Sequence, residues 1–483
     1  MSLQTIRRGV FATVAAVLLA TSCAARNDED SSGAEESDGE QTSEETAGSS
    51  GETDGETCGD LPSPCGPGDL TVEASEAAGS TDKLLVGVPN DRTSTIRPGL
   101  NKELWDTSTA FAEWCNAQGG IGGLEIELVD LDGKLLEVEA SMATACNGVF
   151  MMAGGGQVQD NLQFSEKPES DFHLCGLAEV PGFATSPEKA DSNGQIQPVP
   201  NPSTEAPGLW LVDFKNLNPE DSESMAVIWG DLPAMETIKN KTVAIIEDMD
   251  VELAGVFDYP VTGLADWTPV AQQVIRSGAT SLQWVGEPTN LGALIKSLRE
   301  QGWEGTPVVE TNVYDQVFID SAGVSNAEGT LIRSLFHPFE EADKWPAVQH
   351  YLDILNENVA DPKIALLGMQ SFSSWLLFTT AANACGEAND GVLTRECVLS
   401  AAADVDDWTA GGLHAPTDPG PEGGAAPPCG MLVVVNSDGE FERYFPEIGS
   451  SDDALDGFSC DDDSVVEVPA NEGLGKVSPD QPI

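Results

Sequence analysis

Basic side chains are scarce in this 483-residue chain. It carries 22 lysines and arginines against 81 aspartates and glutamates, which gives a formal net charge of −59 at pH 7. Residues 83–483 alone hold 64 acidic and 19 basic side chains, so the acidity is not confined to the N-terminal part. Nucleic-acid binding depends on basic patches that neutralise phosphates. The composition therefore argues strongly against a nucleic-acid partner.

Histidine is also rare, and no catalytic motif accompanies it. The four histidines, which are scattered and share no motif with an acid or a cysteine, are His173, His337, His350 and His414. The chain contains no G-x-S-x-G elbow, no H-E-x-x-H and no P-loop. We therefore predict a protein that is not an enzyme and that uses no metal and no cofactor. Abundant carboxylates leave a hydrolytic exoenzyme with a glycosidase-like pair as a weaker alternative.

The chain begins with a short apolar run. Arg7 and Arg8 precede apolar residues over 10–20, and small residues then lead to Cys23. A basic start and an apolar stretch too short to span a bilayer comfortably are typical of a secretory signal. Because a cysteine directly after small residues resembles a bacterial lipobox, we predict a signal peptide over 1–22 and a lipid on Cys23. The alternative is an ordinary signal peptide with a chance cysteine.

An acidic, low-complexity segment follows the signal. Residues 24–82 are mainly Ser, Gly, Thr, Glu and Asp, with seventeen acidic residues against the single Arg26. Such a segment has too little apolar surface to offset its ordering entropy, and its like charges repel one another. We predict a disordered tether over 23–82 that holds the folded part off the membrane. Cys58 and Cys65 are predicted to close a small loop within it.

A βαβ unit follows the tether. Apolar residues over 84–88 predict a buried strand, and apolar residues between Gly99 and Gly119 recur at helical spacing. Glycine at the helix end accepts the positive φ that a C-cap usually requires. Leu124, Ile126 and Leu128 then alternate with glutamates, as in a half-buried strand. The roughly four hundred residues beyond the tether are too many for a single core, so at least two lobes are expected.

Residues of this unit resemble a known family. Val86-Gly87-Val88, then NAQGGIGG at 116–123 leading into ELVD at 127–130, are similar to the solute-binding proteins of ABC importers of the leucine/isoleucine/valine-binding type. The similarity continues to about residue 440. It implies the type I periplasmic-binding-protein fold, in which hinge strands join two doubly wound parallel-sheet α/β lobes. With the signal and tether at 1–22 and 23–82, the predicted domains are lobe 1 at 83–207 and 331–425, lobe 2 at 208–330, closing strands of lobe 2 at 426–462, and a tail at 463–483.

Lobe 2 departs from the family pattern in one place. Residues 222–238 are predicted to be helical, and residues 242–246 to be the first strand of the lobe. Only about ten residues separate that strand from the next strand-like segment at 256–259, whereas a parallel pair needs a crossover of a dozen or more. The sequence therefore predicts that a helix of lobe 2 is absent or shortened.

Candidate binding residues lie at the carboxyl ends of predicted strands, where ligands of open α/β sheets bind. The family resemblance implies that hydroxyls and backbone amides there hold a ligand carboxylate, with a threonine at Thr185, and that an acidic residue near Glu310 pairs with an ammonium group. The predicted set is Thr93, Ser94, Gly155, Gly156, Gln157, Phe183, Thr185, Glu287 and Glu310. Alternatively, the glycines only end a strand, Ser186 caps a helix beside Thr185, and the glutamates are surface charges.

Further cysteines are disulfide candidates, because an exported chain meets an oxidising environment. The candidates are Cys385 with Cys397, Cys429 with Cys460 and, among Cys115, Cys146 and Cys175, the pair Cys146 with Cys175.

The resemblance implies a lipid-anchored receptor. It would bind a small polar solute, an amino acid of branched-chain type or a related amide, by lobe closure and deliver it to an ABC permease in the membrane. Because the same architecture hosts several functions, a sensory or regulatory lipoprotein that reports its ligand to a partner is the alternative.

Overall fold

The computed structural model describes residues 57–164, 169–421 and 424–475. Cys23, the predicted signal peptide and most of the predicted tether lie outside these ranges. The strands are β1 (Thr57–Cys58), β2 (Leu61–Pro62), β3 (Thr71–Val72), β4 (Lys83–Asn90), β5 (Glu125–Asp132), β6 (Met151–Ala153), β7 (Glu179–Val180), β8 (Glu205–Pro207), β9 (Ser224–Gly230), β10 (Glu252–Tyr259), β11 (Ser281–Val285), β12 (Thr306–Val309), β13 (Leu331–Ser334), β14 (Val392–Leu393), β15 (Cys429–Val435), β16 (Phe441–Phe445), β17 (Ser459–Cys460) and β18 (Val465–Glu467). The helices are α1 (Lys102–Ala117), α2 (Val138–Gly148), α3 (Asp171–Leu174), α4 (Pro187–Ala190), α5 (Leu209–Leu217), α6 (Pro233–Asp248), α7 (Thr268–Ser277), α8 (Pro288–Glu300), α9 (Gln316–Ala322), α10 (Val324–Ala327), α11 (Pro346–Asn358), α12 (Leu366–Ala388) and α13 (Arg395–Ala403).

Lobe 1 is built on a parallel sheet of order β5-β4-β6-β7. Strand β4 is the predicted first strand, and its interior residues Val86 and Val88 are fully buried. Helices α1 and α12 pack on this sheet, and the rings of Phe111 and Trp375 stack between them with centroids 5.2 Å apart. The βαβ unit predicted from the sequence is therefore confirmed.

The longest helix, α12, lies in the core of lobe 1. Its buried residues cover nearly its whole circumference, as expected of a helix enclosed by other elements. Within the described ranges, neither α12 nor any other helix is long and apolar enough to cross a membrane.

Lobe 2 is built on a larger sheet of order β10-β9-β11-β12-β13-β15-β16. Strands β9 to β13 pair in parallel, and β15 joins β13 antiparallel. The strand order reverses around β9, as in a doubly wound sheet, so the predicted fold class is confirmed. At the predicted boundary between lobes 1 and 2, near residue 207, β8 pairs antiparallel with β18.

The prediction of a missing helix in lobe 2 is wrong. Residues 224–230 form strand β9, and residues 242–246 lie inside the sixteen-residue helix α6, which supplies the crossover to β10. Strand β9 is buried at nearly every position, so its residues form a continuous apolar run without the alternation of a half-exposed strand. The β-branched run in α6 resembles a strand, but Thr242, Ile245 and Ile246 form one buried helical face.

The predicted tether does not extend to residue 82. Residues 57–82 contain β1, β2 and β3, and β3 pairs in parallel with β14 of lobe 1. Cys65 is bonded to Cys115 of α1, so the predicted Cys58–Cys65 bond is wrong; Cys58 is buried. Leu70 and Val72 explain the difference, because they pack into the core despite the acidic composition around them. This segment, residues 57–82, forms a strap on lobe 1.

The other disulfide predictions are confirmed. The bonded pairs are Cys146–Cys175, Cys385–Cys397 and Cys429–Cys460. The bond between Cys65 and Cys115 also accounts for the cysteine that the sequence left unmatched.

Candidate ligand-binding cleft

A cavity of about 210 Å³ lies where the strand-end loops of the two lobes meet. Pockets for drug-sized ligands are usually about 300–1,000 Å³, so this cavity suits a small solute. Much of its wall is apolar, with side chains from both lobes that include Phe183, Val199, Met235, Val285, Leu335 and Leu367. Polar residues such as Asn101, Thr311 and Gln370 complete the wall. The cavity is therefore suited to a solute with an aliphatic body and few polar groups.

Four of the predicted binding residues line this cavity: Phe183, Thr185, Glu287 and Glu310. The other five, which are not among the described lining residues, are Thr93, Ser94, Gly155, Gly156 and Gln157. Gln157 is fully buried and donates to the backbone oxygen of Leu131 and to the hydroxyl of Ser141.

Gly156 shapes the cavity indirectly. A Cβ atom at this position would lie 2.4 Å from the ring of Phe183, which is closer than real Cβ atoms approach other atoms. The absence of a side chain thus gives the Phe183 ring its place in the cavity wall.

The backbone amides near Thr185 already hold a carboxylate of the protein itself. The amide nitrogens of Thr185 and Ser186 donate to the two Asp160 side-chain oxygens at 2.6 and 2.9 Å. Burial raises the pKa of Asp160, and the charge of Lys189 and these hydrogen bonds oppose that rise. Two donors suited to a ligand carboxylate are therefore occupied by Asp160.

A buried ion pair lies next to Asp160. The Lys189 ammonium lies 2.9 Å from a carboxylate oxygen of Glu179, and both side chains are almost completely buried. Burial raises the pKa of Glu179, while Lys189 lowers it. Lys189 thus balances two buried carboxylates behind the cavity wall.

Glu287 forms an ion pair across the cleft. Its carboxylate accepts from the guanidinium of Arg97, on the loop after β4 in lobe 1, at 2.9 Å. It also accepts from the amides of Thr289 and Asn290 and so caps α8 of lobe 2. The guanidinium of Arg97 donates in addition to the Asn290 side chain at 2.9 Å. These contacts fasten one lobe to the other.

A second ionic link joins the lobes at Lys363. Its ammonium lies 2.8 Å from Glu103 of α1 in lobe 1 and 2.8 Å from Asp315, which caps α9 in lobe 2. Burial alone lowers the pKa of Lys363, but the two carboxylates outweigh it and raise this pKa above its usual value. The two links together join the two lobes at the cleft.

Glu310 is also engaged. One of its oxygens accepts from Arg333 Nε at 2.6 Å, and the other accepts from the Gln283 amide at 2.7 Å. Because β12 and β13 are adjacent parallel strands, Glu310 and Arg333 come from neighbouring strand ends.

Lys241 lies directly behind the cavity wall. Its ammonium donates to the side-chain oxygen of Asn201, which lines the cavity, at 2.7 Å. Burial, together with the nearby charge of Arg333, lowers the pKa of Lys241 to about 7.

The sequence analysis did not predict several residues of the cleft. Arg97, Arg333 and Lys363 form the ion pairs of the cleft, and Asn101 and Gln370 contribute polar atoms to its wall. Their scarcity was the one signal in the sequence. Because basic residues are few and acidic residues many, each lysine or arginine is expected to form an ion pair. The partner itself was not visible, since Arg97 and Glu287 are 190 residues apart.

The chain is similar to known binding proteins in sequence. A family model described as periplasmic binding protein matches residues 83–440. An amino acid binding protein of Pseudomonas aeruginosa is 24% identical over 270 residues, which cover 52% of this chain and 66% of the relative, slightly less than two thirds of its length.

Solved structures share the fold at low sequence identity. A fatty acid ABC transporter substrate-binding protein from Thermomonospora curvata has a TM-score of 0.64 at 15% identity, covering 80% of this chain and 95% of its own. A leucine binding protein from Thermotoga maritima has a TM-score of 0.61 at 15% identity, with coverages of 75% and 98%. A branched-chain amino acid transporter substrate binding protein from Streptococcus pneumoniae, in complex with isoleucine, has a TM-score of 0.58 at 13% identity, with coverages of 75% and 100%.

Proposed function

The chain belongs to the periplasmic binding protein family, and from this premise we propose that it is an extracytoplasmic receptor that delivers a small solute to an ABC permease. The observation that carries the proposal is the cavity between the lobes, which ion pairs bridge. Arg97–Glu287 and Lys363–Asp315 join the two lobes, and a solute that contacts both lobes would favour the same arrangement. Hinge closure around a ligand is a common means of capture. Binding alone accounts for this geometry, and we propose no catalytic activity.

The proposed solute is an amino acid of branched-chain type or a related amide. The aliphatic side chains of Val199, Met235, Val285 and Leu335 in the cavity wall suit a branched aliphatic group, whose burial is favourable by about 0.8 kcal/mol per methylene. The volume of about 210 Å³ suits a solute of this size. The related proteins from Pseudomonas aeruginosa and Streptococcus pneumoniae, whose names refer to amino acids, support the same class.

We further propose that a lipid on Cys23 holds the receptor at the outer face of the cytoplasmic membrane. The acidic segment that precedes the strap would then act as a spacer between the membrane and the folded part of the receptor. The basic start, apolar run and small residues before Cys23 support this proposal. In cells that express the full chain, Cys23→Ser is expected to move the protein from the membrane fraction to the soluble fraction. Equal membrane retention of both proteins would contradict lipid anchoring.

Thermal unfolding of the purified full-length protein tests the receptor proposal. The protein is melted with and without amino acids, aliphatic amides, urea, short peptides and sugars. A solute that binds only the folded state stabilises it by about 2.7 kcal/mol at a hundredfold excess over its dissociation constant. We expect a raised midpoint with branched aliphatic members of the panel and none with sugars. Cooperative melting that no member shifts would contradict the proposal.

A further inference from the structure

The basic side chains of the cavity wall differ in how far the protein engages them. Among the described lining residues they are Arg333 and Lys363. Lys363 lies between two carboxylates, those of Glu103 and Asp315, at 2.8 Å from each. Arg333 donates through Nε alone, to Glu310 at 2.6 Å, and its terminal nitrogens Nη1 and Nη2 have no hydrogen-bond partner among the described residues. Most of the hydrogen-bonding capacity of this guanidinium is therefore unused.

The unused end of Arg333 is accessible from the cavity. The side chain is 21% exposed, and neither terminal nitrogen is among the fully buried polar atoms that lack a partner. Arg333 lines the main cavity and also a small pocket of about 20 Å³ beside it. Its Nε contacts Glu310, which lines the main cavity and is not among the described residues of the small pocket. The guanidinium head therefore lies on the side of the main cavity.

The positive charge of Arg333 is felt beyond its ion pair with Glu310. Burial is the main cause that lowers the pKa of the neighbouring Lys241, and the charge of Arg333 is the next. Glu310 raises this pKa by less than Arg333 lowers it, and Asp191 and Glu205 raise it by smaller amounts still. The pair of Arg333 and Glu310 thus acts on Lys241 as a net positive charge, which favours an anion at the free edge of the guanidinium.

The loop around Thr185 in lobe 1 does not offer an equivalent place for an anion. The side chain of Asp160 takes the backbone amides of Thr185 and Ser186 at 2.6 and 2.9 Å. A second carboxylate brought to the same amides would be repelled by the first. Arg333, on strand β13 of lobe 2, has donors and a charge that are not committed in this way.

We propose that the solute carries a carboxylate and that Nη1 and Nη2 of Arg333 bind it. This inference rests on the proposed receptor function and narrows its solute class from amino acids and amides to aliphatic carboxylates. The two nitrogens of one guanidinium match the two oxygens of a carboxylate in parallel, charge-assisted hydrogen bonds. The aliphatic group of the solute lies among apolar residues of the wall such as Met235 and Leu335. A carboxamide has one oxygen and no charge, and its N–H groups would face donors.

Two pairs of compounds with one carbon skeleton separate the carboxylate from shape: isocaproate with isocaproamide, and leucine with leucinamide. In calorimetric titrations of the full-length protein, the carboxylate of each pair that binds is expected to bind at least tenfold more tightly than its amide. Any other solute of the panel that binds and carries a carboxylate is compared with its own amide in the same way.

The titrations distinguish this inference from the receptor function. A ratio below tenfold in any pair that binds, or binding confined to solutes without a carboxylate, would overturn the inference but leave the receptor function standing. If no solute of the pairs or of the wider panel binds, both proposals fail.

A matched pair of arginine variants tests the placement of the carboxylate. Arg333→Lys keeps a positive charge near Glu310 but loses the planar pair of terminal nitrogens. It is expected to weaken binding of the tightest carboxylate about tenfold and to leave the affinity for the matching amide nearly unchanged. Arg276→Lys, on the exposed face of α7, is the control and is expected to change neither affinity.

The two ligands of a pair separate a binding role of Arg333 from a structural one. Unchanged carboxylate affinity in Arg333→Lys, or an equal loss for the carboxylate and its amide, would contradict the assignment. Thermal melting shows whether both variants fold, and the compound pairs in the wild type decide the question if Arg333→Lys does not.

Discussion

Replacing Lys189 with methionine is expected to lower the free energy of unfolding by about 3–5 kcal/mol, because it leaves buried carboxylates without their counter-charge. Glu179 loses its only ion-pair partner among the described residues, at 2.9 Å, and Asp160 loses a nearby positive charge. Urea titration of the wild type and the variant at neutral pH measures the difference.

The pH dependence identifies the cause of this loss. Burial already raises the pKa of Glu179 in the folded state, and without Lys189 this pKa rises further. A raised folded-state pKa costs stability as pH rises above the ordinary value of 4.5, so the deficit is expected to be smallest below that pH and to grow toward neutrality. Lys83→Met is the control, because Lys83 pairs only with two exposed glutamates, and its replacement should change the free energy of unfolding far less than that of Lys189. Equal losses in the two variants would contradict the buried-pair account.

Replacing Lys363 with methionine is expected to destabilise the fold and to open the cleft. Glu103 and Asp315 are both buried, and each lies 2.8 Å from the Lys363 ammonium. Removing the only positive charge bonded to them in the described structure should cost about 3–5 kcal/mol of unfolding free energy. Because the link spans the two lobes, the radius of gyration in small-angle X-ray scattering is expected to increase as well.

Asp315→Asn separates these two effects. Asp315 Oδ1 accepts from the amide of Val317 at the start of α9, and asparagine keeps an acceptor at this position. The variant removes the charge that joins Lys363 to lobe 2, yet leaves Lys363 paired with Glu103. We expect more open scattering with a smaller loss of stability than in Lys363→Met. Scattering identical to that of the wild type in both variants would show that this link does not hold the lobes together.

Lobe 1 was predictable because its signals are local. The apolar run in β4, the helical spacing of α1 and the glycine turn at 119–123 each specify one element within a few residues. Gly119 and Gly120 have φ of 113° and 79°, which agrees with their predicted role at the helix end. The fold class followed from the order of these elements and from the family resemblance.

The first strand and helix of lobe 2 were misassigned because a fully buried strand loses its alternation. Met225, Ala226, Val227 and Ile228 are all completely buried, and their apolar run carries no period that separates a strand from a buried helix. In α6, the run from Thr242 to Ile246 has high β propensity, but packing against the sheet determines its conformation. Local preference was overridden by tertiary contacts there.

The strap and the polar cleft depend on contacts between distant segments. Cys65 and Cys115 are 50 residues apart, and only the folded chain shows that they meet. Glu287 and Glu310 were predicted to lie at the cleft, and they line it. Their engagement by Arg97 and Arg333 could not be read from the sequence, because pairing requires the geometry of both lobes.

The most direct test of a solute site between the lobes combines thermal melting with a variant that fills the cavity. Thr311 is half-buried in the cavity wall, so Thr311→Trp occupies the space where the solute would bind. Thr144→Trp, on the exposed face of α2, is the matched control. The solute tested is the one that raises the unfolding midpoint of the wild type most. The account predicts that it raises the midpoint of Thr144→Trp by the same amount and does not change the midpoint of Thr311→Trp. An undiminished shift in Thr311→Trp would place binding elsewhere and contradict the account.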